Sequence, residues 1–385
     1  MKVSVWRRLG RTDWSIVVVV LALLLFGLTM IYSASYHFYM TDPQMASSPA
    51  HFFWRQVRFC LLGLGLMLIA WNIDYHLYDR LAIPILILTG LVLTVMAFVG
   101  RWLVQETAPG AGGGARALIK GSIQPVEAAK LGAIIYMAAW LKGRGTQLRT
   151  LNMGLLPFAV LIATMLVLIL FQRDLSTAML LFSVTVTMFY VAGATSRQVL
   201  FLILAIGLIL AIVIWGFGYN VERTRSWFEG PFADPYKTGF QTIQALQALN
   251  RGGFFGVGLG RSVKKLTLRY VCHTDFIYAI IGEEWGLLGT IVTVALYGLW
   301  AWRGLRIAHE APDRFGRLIA VGIVSWVVYQ ATLHIAAVTH TTPITGTVLP
   351  FISSGGSSLV SLLAAIGILL NISRDTHYTR DGQIK

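Results

Sequence analysis

Five ionisable residues stand at the edges of long apolar runs: Arg55, Glu127, Lys130, Asp174 and Asp275. A charge at the rim of hydrocarbon is costly, so such side chains should face a shared polar pocket rather than lipid. Acids and bases gathered there suit a transfer reaction, in which a carboxylate takes a proton while cations hold an anionic leaving group. Asp275 is the candidate base. It follows His273-Thr274 and precedes an apolar run that opens at Phe276. Desolvation at such a boundary strengthens a carboxylate as a base, whereas the start of a helix weakens it. Glu127 and Lys130, three residues apart, share a helix face and can pair. Glu283 and Glu284 lie two turns beyond Asp275, and at least one must meet a polar cavity or a cation.

Two glycine-rich stretches accompany these charges. Gly252-Gly253-Phe254-Phe255-Gly256-Val257-Gly258-Leu259-Gly260 lacks the Gly-Lys-Ser/Thr of a nucleotide loop. It reads as backbone hugging a membrane surface or a ligand, with Arg261, Lys264 and Lys265 close behind as candidate anion ligands. The stretch from Pro350 to Ser358 should line the cleft as well, bringing Ser357 and Ser358 to a substrate. Non-helical backbone near membrane depth needs protein or water beside it. No His, Cys or carboxylate cluster has metal-ligand spacing, so no protein-bound metal is expected. A divalent cation, Mg2+ or Mn2+, would instead arrive with a pyrophosphate substrate.

Ten apolar segments can position these groups: 14–33, 53–71, 81–99, 124–141, 153–170, 175–192, 198–217, 276–302, 318–339 and 357–372. The expected architecture is an all-α polytopic membrane protein, one domain over 1–385. Residues 1–13 form its N-terminal segment, 219–274 a large outer loop between helices 7 and 8, and 373–385 its tail. Loop charge sets the orientation. Arg7, Arg8 and Arg11 precede the first span; Lys142, Arg144 and Arg149 follow the fourth; Arg303, Arg306, Arg314 and Arg317 follow the eighth; Arg374, Arg380 and Lys385 close the chain. The loops after spans one and nine carry no Lys or Arg, so both termini are expected in the cytoplasm. Ser33-Ala34-Ser35 imitates a cleavage site, but the apolar run before it is long and more spans follow, so an uncleaved first span is expected.

Composition agrees. The chain is 56% hydrophobic and 12% charged, about half the charge density of a soluble domain. The net charge of +14 fits loops lying against anionic lipid better than a nucleic-acid partner. The outer loop breaks the charge rule with eight cations against three acids, which points to an anionic ligand. Its stretch 239–250 spaces Ile243, Leu246 and Leu249 as a short amphipathic helix would. Cys60 and Cys272 form neither a disulfide framework nor a metal pattern.

A set of motifs in order then becomes informative. They are Gln124-Pro125-x-Glu127-x-x-Lys130, Asp174-Leu175-x-Thr177-Ala178, the Gly252–Gly260 stretch, His273-Thr274-Asp275-Phe276-Ile277, Gly282-Glu283-Glu284-x-Gly286, Leu349-Pro350-Phe351-Ile352-Ser353 and Gly355-Gly356-Ser357-Ser358. With these motifs the chain resembles the SEDS family (shape, elongation, division and sporulation) over nearly its whole length, and its FtsW branch more than RodA. The resemblance implies a peptidoglycan glycosyltransferase of the bacterial plasma membrane that polymerises lipid II in cell division or elongation. It further implies partnership with a class B penicillin-binding protein and other divisome or elongasome membrane proteins. It places the catalytic residue at Asp275 and the polar cleft at Glu127, Lys130 and Asp174. The chain departs from the family pattern at Arg116-Ala117-Leu118, Val126, Arg173, Ser176, Arg269-Tyr270-Val271, His334 and Ser354. Val271 replaces an acid four residues from Asp275 and is expected to weaken the site. Two rival readings are a lipid II flippase and a non-catalytic scaffold. A flippase should have a midplane site between repeated halves, and no internal repeat is apparent.

Overall fold

In lipid the backbone has only its own hydrogen bonds to satisfy it, and apolar runs respond by forming helices. The computed structural model describes residues 12–37, 48, 50–107, 124–172, 174–216, 218 and 221–380. Arg7, Arg8, Arg11, Arg116-Ala117-Leu118, Arg173 and Lys385 lie outside them. The principal helices are α1 (Trp14–Ser35), α2 (His51–Asn72), α3 (Ala82–Thr107), α4 (Pro125–Lys142), α5 (Leu156–Phe171) and α6 (Leu175–Val191). They continue as α7 (Ser196–Ala211), α8 (Val221–Glu229), α9 (Phe240–Gly252), α10 (Ile277–Glu310), α11 (Arg314–Val338) and α12 (Gly356–Arg380). No strand occurs among the described residues.

Seven helical stretches of the described chain are long and apolar enough to cross a membrane, and two more, Ala82–Met96 and Leu175–Val191, are apolar but shorter. α4 belongs to neither group, because Glu127, Lys130 and Lys142 interrupt it. It nevertheless forms a helix, with Glu127 and Lys130 paired three residues apart and Pro125 in its first turn, where a missing N–H costs nothing.

The core lies where α11 packs against α10, α6 and α4, and where α12 runs along α2. Small residues bring the last pair together. A Cβ at Gly63 would strike Leu363, and one at Gly367 would strike the Met67 backbone. Close packing of this kind substitutes for the hydrophobic effect between helices in lipid. α7 is peripheral: Leu202 is its one buried residue, while Leu200, Phe201, Leu204 and Leu208 are exposed. Such a surface is a liability in water and the solvated face in hydrocarbon.

The outer loop is folded. α9 forms over the stretch expected to be amphipathic and buries Ile243, Ala245 and Ala248, packing on α10. α10 is broken at Gly286 (φ 67°, ψ −161°). The glycine-rich stretch fills that break: Val257 and Gly258 N–H donate to the carbonyls of Glu283 (2.9 Å) and Glu284 (3.0 Å), and Leu287 N–H donates to Gly253 O (2.9 Å). A Cβ at Gly256 would collide with the Glu284 carbonyl. The expectation that this backbone hugs a membrane or a ligand is therefore corrected: it hugs α10, completing the ladder that Gly286 interrupts.

Candidate active site

Helix starts build the site. Arg55 lies in the first turns of α2, Glu127 and Lys130 in those of α4, Asp174 caps α6, Asp275 immediately precedes α10, and Ser357 and Ser358 begin α12. These side chains line one cavity of about 300 Å³, together with Gln124, Thr177, Gln330, Thr347 and Ser354. Its floor and walls thus come from segments more than 300 residues apart. The helix N-termini that converge here carry partial positive charge, which suits carboxylates and anions.

Each charge has a defined setting. Lys130 Nζ lies 2.7 Å from Glu127 Oε2 and donates to Gln330 Oε1 at 3.2 Å. Gln330 Oε1 also accepts from Trp326 Nε1 (2.8 Å), and its Nε2 donates to Val348 O (3.0 Å). The amine lies over the Trp326 ring at 5.1 Å from its centroid. Asp174 accepts the Thr177 N–H (3.1 Å) and hydroxyl (2.9 Å), an N-cap that fixes both oxygens. Arg55 Nη2 donates to Ser354 Oγ at 3.4 Å, and its guanidinium lies over Phe52 at 5.0 Å. Asp275 is half-buried, with Oδ2 beside Gly346, whose φ is +64°.

The last loop is stitched to the Asp275 segment. Ser353 Oγ donates to Thr274 O (2.7 Å), and Ser354 N–H donates to His273 O (2.9 Å). Ser357 Oγ accepts the Gln124 N–H at 2.9 Å. His273 stacks on Phe52, ring centroids 4.5 Å apart. Burial first, then Arg55 and His37, push its pKa down to about 3, so it is neutral beside Asp275 at neutral pH. Cys272 is buried, with its pKa pushed up to about 12 by desolvation, and its thiol donates to Ala34 O.

Four expected site residues stand elsewhere. Glu283 accepts from Ser262 Oγ and from the N–H groups of Val263 (3.1 Å) and Lys264 (3.2 Å), and lies 3.5 Å from Arg251 Nε. Lys264 Nζ is bound to Gln244 and Gln247 of α9. Lys265 Nζ is buried against Gly260 O, Ser33 O and Glu284. Arg261 is exposed. Their expected place in the cleft is corrected: the basic loop neutralises the buried Glu283-Glu284 pair and ties it to α1, where Ser33 Oγ donates to Glu284 at 2.7 Å.

Gln330 was not among the expected residues, although a glutamine in an apolar run, four residues after Trp326, is a signal of buried polar pairing. The departures at Val126, Ser176, Val271 and Ser354 have structural uses. Val126 is buried; Ser176 Oγ donates to Thr345 O (2.6 Å); the Val271 side chain packs against the apolar core; Ser354 accepts Arg55. His334 bonds Thr347 O through Nδ1 at 2.6 Å, behind the cavity wall. Among the described residues no three His, Cys, Asp or Glu side chains are grouped to hold a metal.

Comparison with known proteins extends the geometry. A family model for FtsW, RodA and SpoVE, described as "Cell cycle protein", matches residues 13–378. The chain is 36% identical over 377 residues to "Probable peptidoglycan glycosyltransferase FtsW" of Geobacter metallireducens, covering 95% of this chain and 96% of that one. It is 35% identical over 376 residues to "Stage V sporulation protein E" of Bacillus subtilis, covering 95% and 98%. Among solved structures, a chain from "Structural coordination of polymerization and crosslinking by a peptidoglycan synthase complex" superposes with a TM-score of 0.77 at 27% identity, covering 95% of this chain and 98% of that one. The rod shape determining protein RodA of Thermus thermophilus superposes with a TM-score of 0.68 at 26% identity, covering the same shares. With a family model matched over residues 13–378 and relatives 35–36% identical over 95% of its length, the protein belongs to the FtsW/RodA/SpoVE family of cell cycle proteins.

Proposed function

We propose that this multi-pass membrane protein is a peptidoglycan glycosyltransferase that polymerises lipid II at the outer leaflet of the bacterial plasma membrane, in division or elongation. The observation that carries the reading is the meeting of Asp275 with Arg55, Glu127, Lys130 and Asp174 in one open cavity at a helix-start end of the bundle. The transfer is an inverting displacement. An acceptor sugar hydroxyl attacks the donor's anomeric carbon, its proton passes to the Asp275 carboxylate, and the bond to the polyprenyl pyrophosphate breaks with its electron pair. A divalent cation, Mg2+ or Mn2+, enters with that diphosphate as part of the substrate and offsets the cavity's acids. The peripheral helices leave the lipid tails in the bilayer while the head groups reach the cavity. A class B penicillin-binding protein is the fitting partner, because a structural relative comes from a complex that coordinates polymerisation with crosslinking.

Positioned general bases contribute about 10²–10⁴-fold to rate. Asp275→Asn should therefore lower strand synthesis from lipid II by at least about 100-fold in detergent with the cognate penicillin-binding protein, without lowering the thermal transition. Strand synthesis at the parental rate would remove Asp275 from this role.

A further inference from the structure

We propose that Ser176 and His334 are positioning residues for Asp275, gripping the backbone on either side of Gly346 so that this segment keeps its place beside the carboxylate. The proposal rests on the glycosyltransferase reading and names what holds the wall of the reacting cavity.

The segment needs such help. Residues 343–349 form neither helix nor strand, yet Gly346, Thr347 and Val348 line the cavity. Backbone without a ladder of its own must find hydrogen-bond partners elsewhere. Three of its carbonyls find them in side chains. Ser176 Oγ, from the first turn of α6, donates to Thr345 O at 2.6 Å. From α11, His334 Nδ1 donates to Thr347 O at 2.6 Å and Gln330 Nε2 to Val348 O at 3.0 Å. A carbonyl only accepts, so the hydrogen of the His334 ring sits on Nδ1. His334 and Gln330 stand four residues apart on one helix and present both donors from the same face.

Gly346 lies between the first two grips. Its φ is +64°, which favours glycine, and a Cβ there would stand 3.7 Å from Asp275 Oδ2. The segment therefore meets the carboxylate at a residue whose neighbours on both sides are held through their carbonyls. Ser176 and His334 are also two of the positions at which the chain departs from the family pattern, and they converge on this one segment from different helices. Neither side chain is among those lining the cavity, so each acts on the reaction through the backbone it holds. A displacement of about 1 Å in a reacting group can slow a reaction by about 10²-fold, which makes such grips matter.

His334 allows a clean test, because asparagine places an N–H where Nδ1 stands and glutamine places one where Nε2 stands. The full chain in detergent, with its penicillin-binding protein, is assayed for strand synthesis from lipid II. Hydrogen exchange is followed over residues 349–354, where the Ile352, Ser353 and Ser354 N–H groups are bonded in the parent. His334→Gln should lower kcat by about 10- to 100-fold, leave KM within about twofold of the parent and speed that exchange. His334→Asn should restore most of both losses, and Ser176→Ala should shift both readouts in the same direction as His334→Gln. In an Asp275→Asn background His334→Gln should slow the residual reaction by no more than about twofold, since no base remains to be positioned. A merely structural histidine would lower the active fraction equally in both backgrounds. Equal rates for the Asn and Gln variants, parental kcat or exchange in His334→Gln, or an undiminished effect beside Asp275→Asn overturns the proposal. Faster exchange in His334→Gln, corrected by His334→Asn, in a chain whose parent makes no glycan would instead sink the glycosyltransferase reading and leave the grip on the segment standing.

Discussion

Lys130 and Glu127 are each less than one-tenth exposed, and neither could be buried as a lone charge without a large cost. Removing one partner strands the other, whereas replacing both with neutral groups of similar shape removes the problem. Lys130→Ala should therefore lower stability by about 3–5 kcal/mol, and Glu127→Gln with Lys130→Met should lower it by clearly less. Chemical denaturation in detergent micelles reads both; equal losses would show that the pair is not what stabilises this part of α4. The pairing itself was legible from the spacing, because residues three apart meet on any helix. Gln330 was not legible in that way: its tie to Lys130 spans 200 positions and depends on how α11 packs against α4.

Among the elements, α10 shows why local reasoning assigned the wrong place to several charges. Glu283 and Glu284, each expensive in an apolar helix, were expected to meet a polar cavity or a cation, with Glu283 assigned to the substrate, and the basic loop read as an anion site because its cations outnumber its acids. The two problems solve each other. The loop folds back on the break at Gly286 and delivers Ser262, the Val263 and Lys264 N–H groups, Arg251 and Lys265 to the two carboxylates. No periodicity within α10 could reveal that return, since it depends on glycines whose use is close approach to another backbone. Glu284 accepts from Ser33 of α1 as well, so it couples three elements. Glu284→Ala leaves Lys265 buried without its acid, and should lower stability by about 3–5 kcal/mol. Because the cavity lies elsewhere, the residual folded fraction should still bind polyprenyl diphosphate; denaturation and binding titrations on the same preparation separate the two effects.

The whole molecule is arranged by direction. α2, α4, α6, α10 and α12 all begin at the cavity, so their C-terminal ends lie at the other end of the bundle. That far end gathers the basic residues that loop charge had assigned to the cytoplasm. Lys142 pairs with Asp79, Arg303 lies 2.9 Å from Asp13, and Arg144 stacks on Trp140. If anionic lipid and the translocation machinery retain those charges inside, the cavity opens outside. The two native cysteines are both buried, which provides a quiet background for labelling. Lys237 and Gln147 are exposed, the first in the loop between α8 and α9 and the second in the turn after α4. In intact spheroplasts a membrane-impermeant maleimide should modify Lys237→Cys and spare Gln147→Cys, and permeabilisation should open both to reaction. Modification of Gln147→Cys before permeabilisation would invert the bundle, put Asp275 on the cytoplasmic face and remove the outer-leaflet reaction with it.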